Sequence, residues 1–414
     1  MMALVRELYP LCRSITGPGI RRTLARLSED LPLETRSVMS GTNVLDWQVP
    51  DEWTIHDAYI KNTAGERVVD FRACNLHVVS YSEPVHARMS LAALRPHLHT
   101  LPEQPDLIPY RTSYYRRTWG FCLTQRQLEA LPEETYEVCI DSRLAPGELT
   151  YGELLIPGQR EDEILFSAHI CHPSLANDNL SAVAVLSALA QNLLAGPEPR
   201  YSYRFLFMPG TIGAICWLAQ SETQRIKAGL VVAGVGDAGA LHYKASRRGN
   251  TATDRLMRRV LSALRRPYEL LPWEPYGYDE RQFCSPGFDL PVGRLSRTPY
   301  AQYPEYHTSA DTPDFISGEA LAEALELCRA FVAELEASRY YRNTARGEPQ
   351  LGRRGLYGAL GDASPDHVQA ILWTLSRSDG EYSLRDVAEE AALPLTLLER
   401  AAAVLLEHGL LEAC

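Results

Sequence analysis

His169 and Asp178 lie close together in Phe166–Asn179, FSAHICHPSLANDN. An imidazole and a carboxylate at this spacing form a donor pair for a divalent ion. Zinc suits them, because it takes N and O ligands tetrahedrally and can leave one position to water. Two later segments add donors. Leu230–Asp237, LVVAGVGD, ends in Asp237, and Tyr303–Asp314, YPEYHTSADTPD, sets His307 in a polar loop. A competing reading makes His169 a core histidine and Asp178-Asn179 a helix cap.

The flanking text says which elements must hold these groups. EDEILF, before His169, is a short apolar run bounded like a buried strand, and NLSAVAVLSALAQNLL, after Asp178, repeats apolar residues at helical spacing. A strand therefore ends at His169 and a helix starts just past Asp178. In open α/β sheets, ligand sites gather at such carboxyl ends. Further out, residues 1–47 read as helices, and 48–145 as a β-rich module of short runs such as ERVVDF, LHVVSYS and TYEVCI. Strand–helix alternation resumes over 146–342. This predicts an α/β domain (1–47 and 146–342) interrupted by an insert (48–145). After the Gly- and Arg-rich linker ARGEPQLGRRGLYGALGD, residues 360–414 carry three helical patterns, with Ser383 as an N-cap and a short second link like that of a winged helix-turn-helix.

The texts HICHPSLANDNLSAV, GVGD and EYHTSADT resemble, in order, the motifs of the co-catalytic zinc aminopeptidases of the leucyl aminopeptidase type. A narrower resemblance is to the bacterial DUF4910 aminopeptidase-like group, with its DUF2172 insert and C-terminal winged helix. The resemblance implies a zinc-exopeptidase-like α/β fold, a mixed sheet flanked by helices. It also implies metal ligands at His169, Asp178, Asp237 and His307, with Asp178 bridging. The family's full complement is two zinc ions.

Departures from the pattern bear on chemistry. The larger family carries a Glu-Glu pair after its next strand and the narrower group a PETIG text with one glutamate; this chain reads PGTIG, with Gly210 there. Cys171 replaces the family's aspartate two residues after the first histidine, and His172 follows it. The expectation is therefore one zinc, with two as the upper count. Hydrolysis also needs a proton carrier. Glu280 in YGYDERQFCSPGF and Glu305 in PEYHT are the candidates, since both segments resemble active-site loops of the family. In the insert, RTSYYRRTWGFCLT offers Tyr114, Arg116, Arg117 and Trp119 to grip a carboxylate or flat substrate; an ordinary exposed hairpin is the equal alternative. The implied activity is metal-dependent hydrolysis of an amide bond in a small peptide-like or amino-acid-conjugated metabolite. Its rival is a ligand-binding or scaffold protein of the same fold that has lost its base.

Composition narrows the partners. The 414 residues carry a net charge of −11 and 45% hydrophobic residues, an acidic chain with nothing to attract polyanions. Neither a signal-peptide h-region nor an 18-residue apolar run is legible, so no membrane partner is expected. Nine irregularly spaced cysteines without a CxxC pair point to a reducing cytoplasm. From 364 onward nine acids face three bases, which speaks against phosphate contact by the winged helix and favours packing or homo-oligomer formation.

Overall fold

The computed structural model describes every residue except Arg265 and 357–364. The end of the predicted linker and the first residues of the predicted 360–414 domain lie outside the described residues. The chain divides into two compact units, Met1–Gly249 with Leu261–Arg329, and Asn250–Val260 with Ala330–Cys414.

The first unit is organised on an eight-stranded mixed sheet. In spatial order its strands are Glu34–Met39, Glu148–Ile156, Ser202–Met208, Glu163–His169, Ile226–Val232, Val292–Ser296, Leu241–Lys244 and Tyr268–Leu271. The four central strands, Ser202–Met208 through Val292–Ser296, run parallel; Glu148–Ile156 and Leu241–Lys244 are antiparallel to their inner neighbours. Glu163–His169 is buried along its whole length, as a parallel strand covered on both faces should be. Its alternate side chains, Phe166 among them, pack into the layers on either side, and the Phe166 ring stacks on Phe205 of the next strand at 5.3 Å. Ala182–Ala195, the helix read from NLSAVAVLSALAQNLL, buries Val183, Leu186, Leu189 and Ala190. The expected mixed sheet with flanking helices is therefore present.

Within the predicted insert, four antiparallel strands form a separate sheet in the order Arg67–Asp70, Glu52–Lys61, Thr135–Ala145, Val85–Ser90. Its core side chains include Ala58, Ile60, Tyr136, Val138 and Ile140.

In the second unit, helices Pro365–Arg377, Leu384–Ala391 and Leu395–Glu407 pack around Ile371, Val387, Leu398, Ala401 and Leu405. A small antiparallel sheet joins them, ordered Asp379–Ser383, Tyr340–Asn343, Leu411–Ala413. Ser383 caps its helix as its position predicts: its Oγ accepts from the Asp386 N–H at 3.2 Å, and Asp386 Oδ2 accepts from the Ser383 N–H at 2.8 Å. Arg259 donates to the same Asp386 at 2.7 Å and to Glu389 at 2.6 Å. Among the described residues, no helix is long and apolar enough to cross a membrane.

Candidate metal centre

His169 ends its strand with a side chain 1% exposed, and the chain then loops through Pro173 and Leu175 into the turn Ala176–Ser181. Asp178 and Asn179 leave helical geometry there, which turns the Asp178 carboxylate back toward the strand end. His169 Nε2 lies 2.8 Å from Asp178 Oδ1, and His307 Nε2 lies 3.0 Å from Oδ2. His172 completes the group, its Nδ1 3.6 Å from Asp178 Oδ1. Donor atoms of His169, His172 and Asp178 all lie within 4.8 Å of one another.

The turn is held from three sides. Asp311 accepts the backbone N–H groups of Ala176 (3.2 Å), Asn177 (2.6 Å) and Asp178 (3.0 Å). Asn179 Nδ2 contacts His169 Nδ1 at 3.2 Å and the Val232 carbonyl at 3.3 Å, while its Oδ1 accepts the Gly234 N–H at 3.0 Å. Asn177 Oδ1 likewise accepts the Gly236 N–H at 2.8 Å. Both asparagines thus tie the Asp178 turn to the end of the neighbouring strand. Arg13 Nε donates to the His172 carbonyl at 2.9 Å, fixing the other shoulder.

Aromatic rings set the imidazoles. Tyr306 stacks on His307 at 4.0 Å and Tyr278 on His169 at 4.9 Å, while Tyr110 stands edge-on to both His172 and His307. The Tyr110 N–H also donates to the His307 carbonyl at 2.7 Å, which holds that histidine at a φ of +54°. Such outer contacts fix ring orientation, a requirement of any metal site.

Electrostatics favour the metal-binding protonation states. Burial lowers the His172 pKa to about 3, so its imidazole stays neutral. Burial alone would raise the Asp178 carboxyl, but His172, with hydrogen bonds from His169 and His307, holds it well below the usual carboxylate range. His172 Nδ1 is buried and has no hydrogen-bond partner among the described residues. A donor atom left in this state beside a carboxylate, among imidazoles, fits a zinc ion.

The other sequence candidates fall elsewhere. Asp237 is buried, but its Oδ1 accepts from the Gly239 N–H and Thr298 Oγ1, both at 2.7 Å, and its Oδ2 from Asn177 Nδ2 at 3.0 Å. Those bonds make it a brace for Asn177, and it is not among the donor atoms that cluster. Glu280 is fully buried and its Oε1 pairs with Lys244 at 3.0 Å and Arg294 at 3.3 Å, so its carboxylate is committed to two cations. Glu305 is half-buried, and its backbone carbonyl closes the turn before His307 by accepting from Thr308. Tyr114 reaches the site's edge, its hydroxyl 3.2 Å from that of Tyr110. Arg117 pairs with Asp51 at 2.7 Å and Trp119 stacks on His97 at 3.6 Å; Arg116 is exposed. The insert touches the histidines through Tyr110, which the sequence reading did not single out.

It also passed over Asp279, next to Glu280. Asp279 is fully buried, and neither carboxylate oxygen has a hydrogen-bond partner among the described residues. A Cβ built on Gly210 would lie 3.4 Å from Asp279 Oδ1 and 3.0 Å from His169 Cβ. Burial raises the Asp279 pKa to about 7, Glu280 adding to the effect and His169 opposing it. The folded-state value lies above the unfolded one, so the native chain holds a proton there that the unfolded chain has lost. Wild-type stability therefore falls as pH rises from about 4 to about 7. Asparagine does not titrate. In metal-free protein, Asp279→Asn is accordingly expected to raise the melting temperature at pH 8 and to raise it less, or not at all, at pH 5. Thermal melts at the two pH values check this, and equal effects at both would contradict it.

Comparison with known proteins gives this mixed sheet an aminopeptidase-like fold. The chain belongs to the family described as a domain of unknown function, DUF4910, whose model matches residues 2–338; residues 339–413 match a winged helix-turn-helix model. A Clostridium acetobutylicum protein named for polysaccharide biosynthesis and an aminopeptidase-like domain is 46% identical over 99% of this chain and 95% of its own length. A crystal structure from the same organism, described as a peptidase, superposes with a TM-score of 0.84 at 44% identity, covering 100% of this chain and 96% of that one. BSAP, a zinc aminopeptidase from Bacillus subtilis, shares the fold with a TM-score of 0.58 at 14% identity, over 81% of this chain and 94% of its own.

Proposed function

We propose that this protein is a metal-dependent hydrolase acting on an amide bond in a small peptide-like or amino-acid-conjugated metabolite, with a zinc ion held by His169, His172, Asp178 and His307. The observation that carries the reading is the three-residue donor group within 4.8 Å, with His307 at the free oxygen of Asp178. Zinc bound there would polarise a carbonyl and make water a nucleophile near neutral pH. The chain's own residues supply the rest: Asp178 holds two imidazoles through its two oxygens, and the tyrosine rings fix their planes and form flat walls for a small substrate. The aminopeptidase-like name of the 46%-identical relative supports the same class of reaction.

Gly210 favours the second reading, a ligand-binding protein of the same fold without turnover. One experiment separates the two. Protein reconstituted with zinc is expected to hold close to one ion per chain and to release amine from short aminoacyl amides only when loaded. Elemental analysis and an amine-release assay give the result: no bound zinc removes the metal reading, and bound zinc without release of any amine across an aminoacyl-amide panel leaves the binding protein.

In the C-terminal unit, Arg377 pairs with Glu390 and Arg385 with Glu334. Two of its three bases beyond residue 364 are thus neutralised, which supports a packing role over contact with phosphates. A cytoplasmic setting is part of the proposal, on the cysteine pattern alone.

A further inference from the structure

A buried carboxylate with no hydrogen bond is a standing cost to the fold, since its desolvation is offset by nothing. Three such oxygens lie in Asp279 and Glu280: Oδ1 and Oδ2 of Asp279, and Oε2 of Glu280. Glu280 has Lys244 and Arg294 as counter-charges, whereas Asp279 forms no ion pair among the described residues. The position of Asp279 is specific. Its Oδ1 lies 3.4 Å from where a side chain at position 210 would begin, and that point is 3.0 Å from His169 Cβ. The space left by glycine thus opens between an unpaired carboxylate and the first histidine of the cluster.

Asp279 is beside the donor group without belonging to it, for the atoms that lie within 4.8 Å of one another are those of His169, His172 and Asp178. A carboxylate one step outside the ligands is placed to hold a water or substrate proton, which is what a general base must do. We infer that Asp279 is the proton carrier of this site, supplying from the loop after Tyr278 the carboxylate that position 210 lacks. This rests on the proposed hydrolysis and assigns its missing part. In the reaction, Asp279 Oδ takes a proton from water as the water oxygen bonds to the amide carbon. It then gives that proton to the leaving nitrogen as the C–N bond breaks. Amide and water become carboxylic acid and amine, and Asp279 returns to its starting state. Gly210 has a use in this arrangement, because any side chain there would fill the space in front of Oδ1.

The test uses zinc-loaded full-length protein and acetohydroxamate, a small zinc-binding probe whose N–H and O–H protons seek a nearby carboxylate. Asp279→Asn keeps the shape of the side chain and removes its charge. Calorimetry is expected to show acetohydroxamate binding weakened at least about ten-fold while zinc affinity stays within about three-fold, and amine release to fall by about two to four orders of magnitude. Gly210→Ala, with Asp279 intact, places a methyl 3.4 Å from Oδ1 and is expected to weaken the probe in the same direction. Unchanged probe binding in both variants overturns the inference, as does loss of zinc in parallel with loss of the probe in Asp279→Asn, which would make the residue a ligand or a purely structural one. Wild-type protein that binds no zinc at all overturns the metal reading instead, so the two failures are told apart.

Discussion

Asp178→Asn is expected to lower zinc affinity by at least about 100-fold, so that protein purified with wild type at equal zinc carries almost none. The substitution preserves shape and removes the charge that both His169 and His307 address, at 2.8 and 3.0 Å. Partners in the outer shell of a metal site cost about 10- to 100-fold when removed, and a residue whose two oxygens face three imidazoles should exceed that range. Two of the donors need no preparation. Asp178 is held well below the usual carboxylate range and His172 at about 3, so both are already in their metal-binding forms through the neutral range. The asparagine variant therefore loses charge and bridging geometry together. Chelator competition measures the affinity, and circular dichroism shows whether the fold persists. A folded variant binding zinc within three-fold of wild type would mean that Asp178 does not hold the ion.

Much of this site was legible because its motifs are local. His169, Asp178 and His307 stand in short texts bounded by strand and helix signals, and the structure brings these three together. The partners of the other candidate residues depend on a different kind of information. Asp237 ends a buried strand as expected, yet whether such an acid faces an ion or its own loop depends on Asn177, sixty positions earlier, which donates to it. No periodicity encodes that pairing. In Asp279-Glu280 the sequence shows two adjacent acids, and only packing decides that Glu280 meets Lys244 and Arg294 while Asp279 faces position 210. His172 did carry a signal, the His169-x-x-His172 spacing ahead of Asp178.

The fold was read more completely than the site. A fully buried parallel strand, a helix with a continuous buried face, and a serine three residues before an acid at a helix start each follow from local chemistry. The sheet order was not readable. Ser202–Met208 lies between Glu148–Ile156 and Glu163–His169, although it follows both in the chain. That neighbour relation is set by the crossover through the helix Ala182–Ala195, which carries no register mark in its residues.

The second large effect is expected at a residue that touches no ligand atom. Asp311, in the HTSADT text, accepts three consecutive backbone N–H groups, those of Ala176, Asn177 and Asp178, all three residues fully buried. Alanine would leave the Asn177 and Asp178 donors without that acceptor, whereas the Ala176 N–H keeps the backbone carbonyl of residue 311 at 2.9 Å. Each buried donor left unsatisfied costs about 1–3 kcal/mol, and part is recovered because the carboxylate's own desolvation is removed, so the net loss is about 3 kcal/mol. For a unit of this size that lowers the melting temperature by more than about 5 °C. The turn it holds also aims Asp178, so zinc affinity is expected to fall at least about ten-fold with all four proposed ligands unchanged. Calorimetric melting and chelator competition on Asp311→Ala measure the two effects. A stable variant with normal zinc affinity would show that Asn177 and Asn179, with their bonds to Gly236 and Gly234, hold the turn without Asp311.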